Sequence, residues 1–153
     1  MLQSSIREKE GKREEASAQV LDRSENGLKS IEEIRSLLNR GLTQLKLSLN
    51  QLNSVGGLPM GLAILDLSSN RFENMRSFVG MNGLKQLDLS LNMIQSTDGI
   101  DLCNLETLNI SNNVLVNLKG LDKCRNLRSL NIRRNKLKTI SFSAGSSTVS
   151  YKT

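Results

Sequence analysis

Residues 84–94 read LKQLDLSLNMI, and closely related eleven-residue segments occur four more times along the chain. The other copies begin at Leu42, Leu62, Leu105 and Leu127, and they read LTQLKLSLNQL, LAILDLSSNRF, LETLNISNNVL and LRSLNIRRNKL. The asparagine at the ninth position recurs at intervals of 20, 22, 21 and 22 residues. Such a period is typical of a solenoid, in which each unit is too small to bury its own apolar face and stacks on its neighbours.

Each copy combines the periodicity of a strand with that of a short helical turn. In residues 45–47 the two leucines point to one side and Lys46 to the other, which indicates a strand. After the asparagine, apolar residues stand three apart, as do Leu115 and Leu118, and this spacing favours 3₁₀-like turns over a long α-helix. The sequence therefore predicts strands on one side of the solenoid, helical turns on the other, and a continuous leucine core between them.

The composition agrees with a core built from leucine rather than from aromatic rings. The chain of 153 residues contains 27 Leu and 16 Asn but only three Phe, one Tyr and no Trp. Apolar residues make up 37% and charged residues 24%, a balance that excludes both a disordered chain and a membrane-embedded one. No apolar run approaches the length of a membrane-spanning helix, so the sequence predicts no membrane span.

The repeated asparagines are predicted to form a hydrogen-bonded ladder. At the end of each strand the chain turns inward, which leaves backbone donors and acceptors without partners. A side-chain amide offers both donors and an acceptor, so it can bond the turns of successive repeats. The predicted ladder consists of Asn50, Asn70, Asn92, Asn113 and Asn135.

A degenerate copy centred on Asn26 precedes the five regular ones. Leu21 and Leu28 occupy the expected apolar positions, but Arg23 replaces the third apolar residue of the strand. Such a departure is expected of a terminal repeat, because its outer side faces water. The sequence therefore predicts one repeat domain over residues 20–142 with about six repeats.

The pattern LxxLxLxxNxLxxLxxL, repeated about every 22 residues, resembles the short intracellular class of leucine-rich repeat over about residues 18–142. That class includes the regulatory subunit of protein phosphatase 1 and the axonemal dynein light chain. The resemblance implies an α/β fold, a right-handed leucine-rich-repeat solenoid or horseshoe with a parallel concave sheet and short 3₁₀ or helical convex turns. It also implies a role in protein–protein binding.

The two ends of the chain lack the repeat. Residues 1–19 are charged, and they are predicted to form either a helix that covers the first repeat or a solvated arm. Residues 143–153 read SAGSSTVSYKT and are predicted to form a flexible tail. Ser143 and Ser146 replace apolar residues of the repeat, so we expect the last strand to be uncovered. The chain would then be a shortened form of a longer repeat protein, or another subunit would cap it.

The concave face predicted from strand alternation is polar, with an acidic pair and two apolar residues near the strand ends. We expect this face to bind the partner, although an ordinary solvated surface is the alternative. Leu49 and Leu91 are predicted to be exposed apolar anchors beside the carboxylates. The predicted partner-binding residues are Lys46, Leu49, Ile64, Asp66, Asp88, Leu91, Asn109, Asn131 and Arg133.

Nothing in the residue pattern indicates catalysis. The chain has no His, which removes the commonest general base and the commonest metal ligand. Asp66 and Asp88 resemble paired carboxylates, but an open curved sheet offers no enclosed pocket in which such a pair would act. The sequence therefore predicts a protein that is not an enzyme and that holds no cofactor.

The two cysteines are predicted to occupy equivalent positions in adjacent repeats. Cys103 and Cys124 each follow a ladder asparagine by eleven residues, as Leu37 and Met81 do. They form either a redox-sensitive or metal-binding pair, or two buried thiols that act as small apolar side chains. The leucine and methionine at the same position favour the buried thiols.

The net charge of +6 is concentrated in the C-terminal repeats. Residues 119–138 contain eight basic side chains and one acidic side chain, so the rest of the chain has a net charge of −1. This window is predicted to bind an acidic protein partner or only to keep the end of the molecule soluble. Nucleic acid is less favoured, because no aromatic residue lies in the window to stack on a base.

We expect the protein to be a non-catalytic scaffold or adaptor that binds a protein partner through its concave face. The alternatives are a regulatory subunit of a phosphatase-1-type enzyme and an axonemal dynein-associated light chain. The concave face lacks aromatic residues, which counts against the phosphatase-1 regulatory subunit. The chain shows no C-terminal helical subdomain in its pattern, which counts against the dynein light chain. No secretory signal is visible, so the predicted location is intracellular, with the cytoplasm preferred and the nucleus or the cilium and cytoskeleton as alternatives.

Overall fold

The computed structural model describes residues 20–38 and 41–138, together with the backbone of residues 150–152. Its central feature is one seven-stranded parallel sheet whose strand order is the same as the order in the sequence. The strands are β1 (Val20–Asp22), β2 (Gln44–Lys46), β3 (Ile64–Asp66), β4 (Gln86–Asp88), β5 (Thr107–Asn109), β6 (Ser129–Asn131) and β7 (Ser150–Lys152). Each connection advances the chain by one strand, so the predicted leucine-rich-repeat solenoid is confirmed.

The central residue of each strand carries the core. Leu45, Leu65, Leu87, Leu108 and Leu130 stand opposite one another across β2 to β6, and none is more than 2% exposed. Burial of a leucine side chain stabilises a fold by about 1.5–3 kcal/mol. Because the five side chains lie in register, the same apolar layer continues from one repeat to the next.

The side of the solenoid opposite the sheet contains short 3₁₀ turns, as the three-residue spacing predicts. These turns are Ile31–Leu37, Arg76–Phe78 and Leu121–Lys123. Inside the core the rings of Phe72 and Phe78 lie 5.6 Å apart between centroids and are tilted, which is a favourable arrangement for an aromatic pair. The buried apolar residues from Leu28 to Ile132 form one contiguous cluster.

The structure corrects the prediction for the C-terminal end. Residues Ser150–Lys152 form β7, which pairs in parallel with β6, so the flexible-tail prediction is wrong for these three residues. The expectation of an uncovered last strand is wrong as well, and Leu130 and Ile132 are 1% and 3% exposed. The predictions for residues 1–19, for 143–149 and for Thr153 lie outside the described residues.

The two cysteines do not share one environment. Both are free thiols, but Cys103 is exposed whereas Cys124 is buried. Burial raises the pKa of the Cys124 thiol to about 11, because a thiolate is poorly solvated inside the core. The prediction of two buried thiols in equivalent positions is therefore wrong for Cys103.

The reason is a shift of one residue within a single repeat. The repeat that contains Cys103 has 21 residues between its ladder asparagine and the next, whereas the repeats on either side of it have 22. Counted back from the following strand, Leu102 precedes Leu105 by three residues just as Cys124 precedes Leu127. Leu102 is accordingly buried, and Cys103 is pushed out to the surface.

Candidate functional site

The predicted asparagine ladder bonds each repeat to the one before it. The side-chain Oδ1 of Asn92 accepts the backbone N–H of Phe72 at 2.9 Å, and its Nδ2 donates to the carbonyl of Leu67 at 3.0 Å. The same Nδ2 also donates within its own repeat to the carbonyls of Leu89 and Ser90. The equivalent bonds to the preceding repeat are made by Asn50, Asn70, Asn113 and Asn135.

Five of the nine predicted partner-binding residues lie side by side at the ends of the strands. Lys46, Asp66, Asp88, Asn109 and Asn131 pair in that order across β2 to β6. We call this row the strand-end row. All five are partly exposed, so the structure brings them together on one accessible edge of the sheet. Ile64, also partly exposed, lies two residues before Asp66 on the same strand.

The aspartates of the strand-end row also hold the turn that follows each strand. The Oδ1 of Asp66 accepts the backbone N–H and the hydroxyl of Ser68 at 2.9 and 2.7 Å. Asp88 holds Ser90 in the same way at 2.8 and 2.7 Å, and its Oδ2 accepts the Nδ2 of Asn109 at 2.8 Å. These carboxylates therefore stabilise the fold as well as supplying negative charge, a dual role that sequence periodicity does not show.

The backbone bends in the same unusual way immediately before each ladder asparagine. Leu49, Ser69, Leu91, Asn112 and Arg134 have φ between 53° and 57°, in the left-handed region. A residue there costs about 1–2 kcal/mol unless it is Gly or, to a smaller extent, Asn or Asp. At the first four of these positions the backbone N–H donates to a carbonyl of the next repeat, as from Leu91 to Ser111 at 3.0 Å, so the bend helps to join successive repeats. We call these five positions the bend row.

Two of the bend-row residues are exposed leucines. Leu49 is 52% exposed and Leu91 is 55% exposed, as the sequence predicts. They lie two strands apart, which places their backbones about 10 Å from each other at the usual strand spacing. Ser69 lies between them in the bend row, so the two leucines flank a smaller residue.

The strand-end edge of the sheet is basic where it reaches β6. Arg133 and Arg134 line a groove of about 570 Å³ together with Ser111, Asn112 and Asn131. Arg133, the last of the predicted partner-binding residues, takes the place that serine occupies in the four preceding repeats, at the position two residues after the strand-end row. The edge therefore changes from acidic and apolar near β3 and β4 to basic near β6.

Sequence analysis missed a second, shorter stack of asparagines. The Nδ2 of Asn104 donates to the carbonyl of Asn82 at 2.9 Å, and the Nδ2 of Asn126 donates to the carbonyl of Cys103 at 3.0 Å. These side chains are exposed and join the loops that lead into β4, β5 and β6. Their regular spacing of 22 residues was a signal that could have identified them.

Within the described ranges, no group of three or more His, Cys, Asp or Glu side chains is placed to hold a metal ion. None of the helices in the same ranges has the length and apolar character that a membrane span requires.

Comparison with known proteins agrees with this geometry. Family models described as leucine-rich repeats match residues 103–145, as two copies, and residues 38–61. Protein NUD1 of Saccharomyces cerevisiae is 32% identical over 123 residues, which are 78% of this chain and 14% of that protein. The chain therefore spans only a small part of the length of this relative.

Solved structures share the architecture. Internalin C2 of Listeria monocytogenes superposes with a TM-score of 0.73 at 24% identity, covering 86% of this chain and 60% of that one. Another Listeria monocytogenes internalin gives 0.69 at 23% identity, with 80% and 37% coverage. A leucine-rich-repeat protein of Leptospira interrogans gives 0.62 at 25% identity, with 75% and 34% coverage. The repeat pattern, the sheet and these matches agree that the chain folds as a leucine-rich-repeat solenoid.

Proposed function

We propose that the protein is a non-catalytic adaptor that binds a protein partner along the strand-end row and the bend row. The observation that carries this proposal is the exposure of Leu49 and Leu91 in left-handed backbone. Both leucines lie beside the charged strand-end row, so an apolar contact would be surrounded by polar groups. That arrangement, an apolar centre within a polar rim, is the usual anatomy of a protein–protein interface.

Backbone stability does not explain the two leucines. The bend row requires a positive φ, and Asn112 shows that a residue better suited to that conformation is compatible with the same position. A leucine there exposes about half of its side chain to water and adds backbone strain. Binding does explain it, because an apolar anchor near the centre of an interface contributes more than the polar contacts around it.

The two exposed leucines on either side of Ser69 support a partner with an apolar side chain at the point of contact. The side chain would enter above Ser69, between Leu49 and Leu91, and would exclude water from all three. The carboxylates of Asp66 and Asp88 lie on the adjacent row and would select a partner with neutral or positive groups beside its apolar anchor. The proposal therefore specifies both the anchor and its electrostatic surroundings.

The finer alternatives receive less support from the described residues. The outward positions of β2 to β6 carry no aromatic side chain, which counts against a phosphatase-1 regulatory subunit. No observation on the sheet edge favours an axonemal dynein light chain. The resemblance to the short intracellular class supports an adaptor that acts in the cytoplasm, and this location is part of the proposal.

The test compares partner binding by two double variants of the full chain. Affinity purification identifies a partner, and isothermal titration calorimetry then measures its affinity for each variant. Leu49→Asn with Leu91→Asn removes the anchors, and we expect the affinity to fall at least about 30-fold, since a truncated anchor typically costs about 2 kcal/mol. The control is Met60→Asn with Val79→Asn, which removes two exposed apolar side chains away from the strand-end edge.

The control double variant should bind with unchanged affinity. If both double variants weaken binding equally, the partner binds exposed apolar side chains in general, and the two leucines are not specific anchors. If neither weakens it, the binding surface lies elsewhere on the molecule and the proposal is wrong.

A further inference from the structure

Three apolar side chains lie beyond the asparagine ladder, on the side of the ladder away from the sheet. Met93 and Val116 are 45% and 56% exposed, and Val114 is partly exposed. Met93 directly follows Asn92, whereas Val114 and Val116 are the first and third residues after Asn113. We call these three side chains the flank patch.

Backbone hydrogen bonds between successive repeats bring the flank patch together. The N–H of Val114 donates to the carbonyl of Ile94 at 3.1 Å, and the N–H of Val116 donates to the carbonyl of Gln95 at 3.1 Å. Met93 immediately precedes Ile94, so its backbone adjoins that of Val114. The apolar side chains therefore form one surface across two neighbouring repeats.

The fold does not require apolar side chains at these positions. Counted from the ladder asparagine, the equivalent residues of the preceding repeats are polar or charged, namely Gln51, Asn53, Arg71, Glu73 and Gln95. Their backbones bond to the neighbouring repeats in the same way, as from Gln95 to Glu73 at 3.2 Å. A cluster of exposed apolar residues that the fold does not need indicates a binding surface.

The repeat that follows the flank patch carries lysine at both equivalent positions. Lys136 and Lys138 are exposed, and the N–H of Lys136 donates at 2.9 Å to the carbonyl of Leu115, the residue between the two valines. Neither ammonium group forms an ion pair with a described residue. Among the equivalent positions of all repeats the one acidic residue is Glu73, two repeats before Val116. The flank patch therefore ends beside positive charge that no neighbouring carboxylate compensates.

At its other end the flank patch borders a cavity. Met93 lines a space of about 300 Å³ together with Asn53, Arg71, Glu73 and Asn74. Such a space admits several water molecules, which a partner side chain would displace. The surface around the flank patch is therefore concave on one side and basic on the other.

We infer that the flank patch binds a segment of a protein partner in which apolar side chains are followed by aspartate or glutamate. The apolar side chains would cover the flank patch, and the carboxylates would meet Lys136 and Lys138. Leu91 stands two residues before Met93, so the flank patch continues the apolar surface of the bend row. This inference rests on the proposed adaptor function and extends its binding surface around the ladder.

The test titrates the full chain, isotopically labelled at its methyl groups and backbone amides, with a synthetic peptide and follows binding by NMR spectroscopy. The probe peptide carries Val, Leu and Val followed by three Glu residues. We expect the methyl resonances of the flank patch and the amide resonance of Lys136 to shift together with one dissociation constant. Shifts confined to other parts of the chain would place the probe elsewhere and contradict the inference.

Met93→Gln with Val116→Gln tests the apolar contact. Glutamine already occupies the equivalent positions of other repeats, as at Gln51 and Gln95, so the fold should tolerate it. We expect the probe to bind this flank variant about ten-fold more weakly than the parent. Val116→Gln alone should give a smaller loss in the same direction, which keeps the test valid if the double variant does not fold.

The matched control is Met60→Gln with Val79→Gln. It removes the same two side-chain types from positions that are 64% and 59% exposed and lie outside the flank patch. The probe should bind this control with unchanged affinity.

Lys136→Gln with Lys138→Gln tests the charge. We expect this variant to bind the probe about five-fold more weakly, and high salt should weaken binding by the parent. The control is Lys85→Gln with Lys123→Gln, which removes the same charge from exposed positions outside the flank patch and should bind as the parent does. A probe with Gln in place of Glu should lose the same five-fold with the parent.

Three results with the probe would overturn the inference. Equal weakening by the Met60 and Val79 control would mean that the probe adheres to any exposed apolar side chain. Equal weakening by the Lys85 and Lys123 control would mean that the net charge of the chain attracts it. Unchanged binding by the flank variant would remove the flank patch altogether.

An identified partner separates this inference from the adaptor proposal. If the leucine double variant loses the partner and the flank variant retains it, the flank patch is wrong and the adaptor function stands. If the flank variant loses the partner and the leucine double variant retains it, the flank patch stands and the anchoring role of the two leucines is wrong.

Discussion

The side-chain oxygen of Asn92 accepts the backbone N–H of Phe72 at 2.9 Å, although the two residues are twenty positions apart and belong to different repeats. The Nδ2 of Asn92, with two N–H donors, lies within hydrogen-bond distance of three backbone carbonyls, so one side chain contacts four backbone groups where neighbouring turns meet. Asn92 is only 8% exposed, so water cannot easily replace those bonds. The cohesion of the solenoid therefore depends on polar groups inside the stack as well as on leucine.

Replacement of Asn92 by Leu should lower the free energy of unfolding by about 3 kcal/mol, because several buried backbone groups lose their partners. Urea denaturation monitored by circular dichroism measures the change. The control is Asn53→Ala at an exposed position, where we expect a change within about 0.5 kcal/mol. Equal effects at the two positions would show that the ladder bonds contribute little net stability.

Leu91→Asn should stabilise the protein by about 0.5–1 kcal/mol while it weakens partner binding. Asn tolerates the left-handed backbone better than Leu, and the exposed leucine has little packing to lose. The reciprocal variant, Asn112→Leu, should destabilise by a similar amount because φ is 53° there. Thermal unfolding of both variants checks the signs, and a loss of stability in Leu91→Asn would show that its side chain packs in solution.

Asp66→Asn with Asp88→Asn should destabilise the protein by no more than about 1 kcal/mol, because an amide oxygen can accept the same bonds from Ser68 and Ser90 and only the bond from Asn109 to Asp88 is lost. Asp66→Lys with Asp88→Lys should destabilise by about 2–4 kcal/mol, since lysine has no acceptor to hold either turn. Chemical denaturation separates the two cases.

The asparagine pair is also the cleaner test of charge in partner binding. It removes both negative charges and keeps the turns, so any loss of affinity reports electrostatics. If the lysine pair is as stable as the parent, the carboxylates do not contribute to the turns as their hydrogen bonds indicate.

Stability should fall at alkaline pH because of Cys124. Burial raises the pKa of its thiol from 9.0 to about 11, so the folded protein holds the proton more tightly than the unfolded chain. The resulting stabilisation of about 2 kcal/mol is fully present below pH 9 and is lost as the pH rises from about 9 to 11.

Urea midpoints measured between pH 8 and pH 11 test this expectation. The parent and Cys103→Ala should both lose stability over that range. Cys124→Ala should lose about 2 kcal/mol less than they do, although a small cavity makes it less stable at every pH. Parallel curves for all three proteins would show that the thiol does not titrate with the folding transition.

Sequence alone determined the repeat, the strands, the inward leucines and the identity of the ladder asparagines. These features follow from local alternation and from a fixed period, since a one-residue change of phase would turn a strand's leucines toward water. The exposure of Leu49 and Leu91 was also predictable, because they stand outside the apolar positions of the pattern.

Only the tertiary structure decided the features that depend on distances between repeats. The serine-rich segment around Ser150 carries no leucine pattern, yet its backbone pairs with β6 because an open strand edge accepts any extended segment. Whether Cys103 is buried or exposed depends on which side of it the repeat is one residue shorter, and the folded structure shows that the shortening leaves Leu102 in the buried position. Asn109 and Asn131 have the same residue type and the same row position, yet the Nδ2 of Asn109 donates to Asp88 whereas that of Asn131 has no acceptor among the described residues. They differ because hydrogen-bond partners are set by the neighbouring repeats in the folded stack.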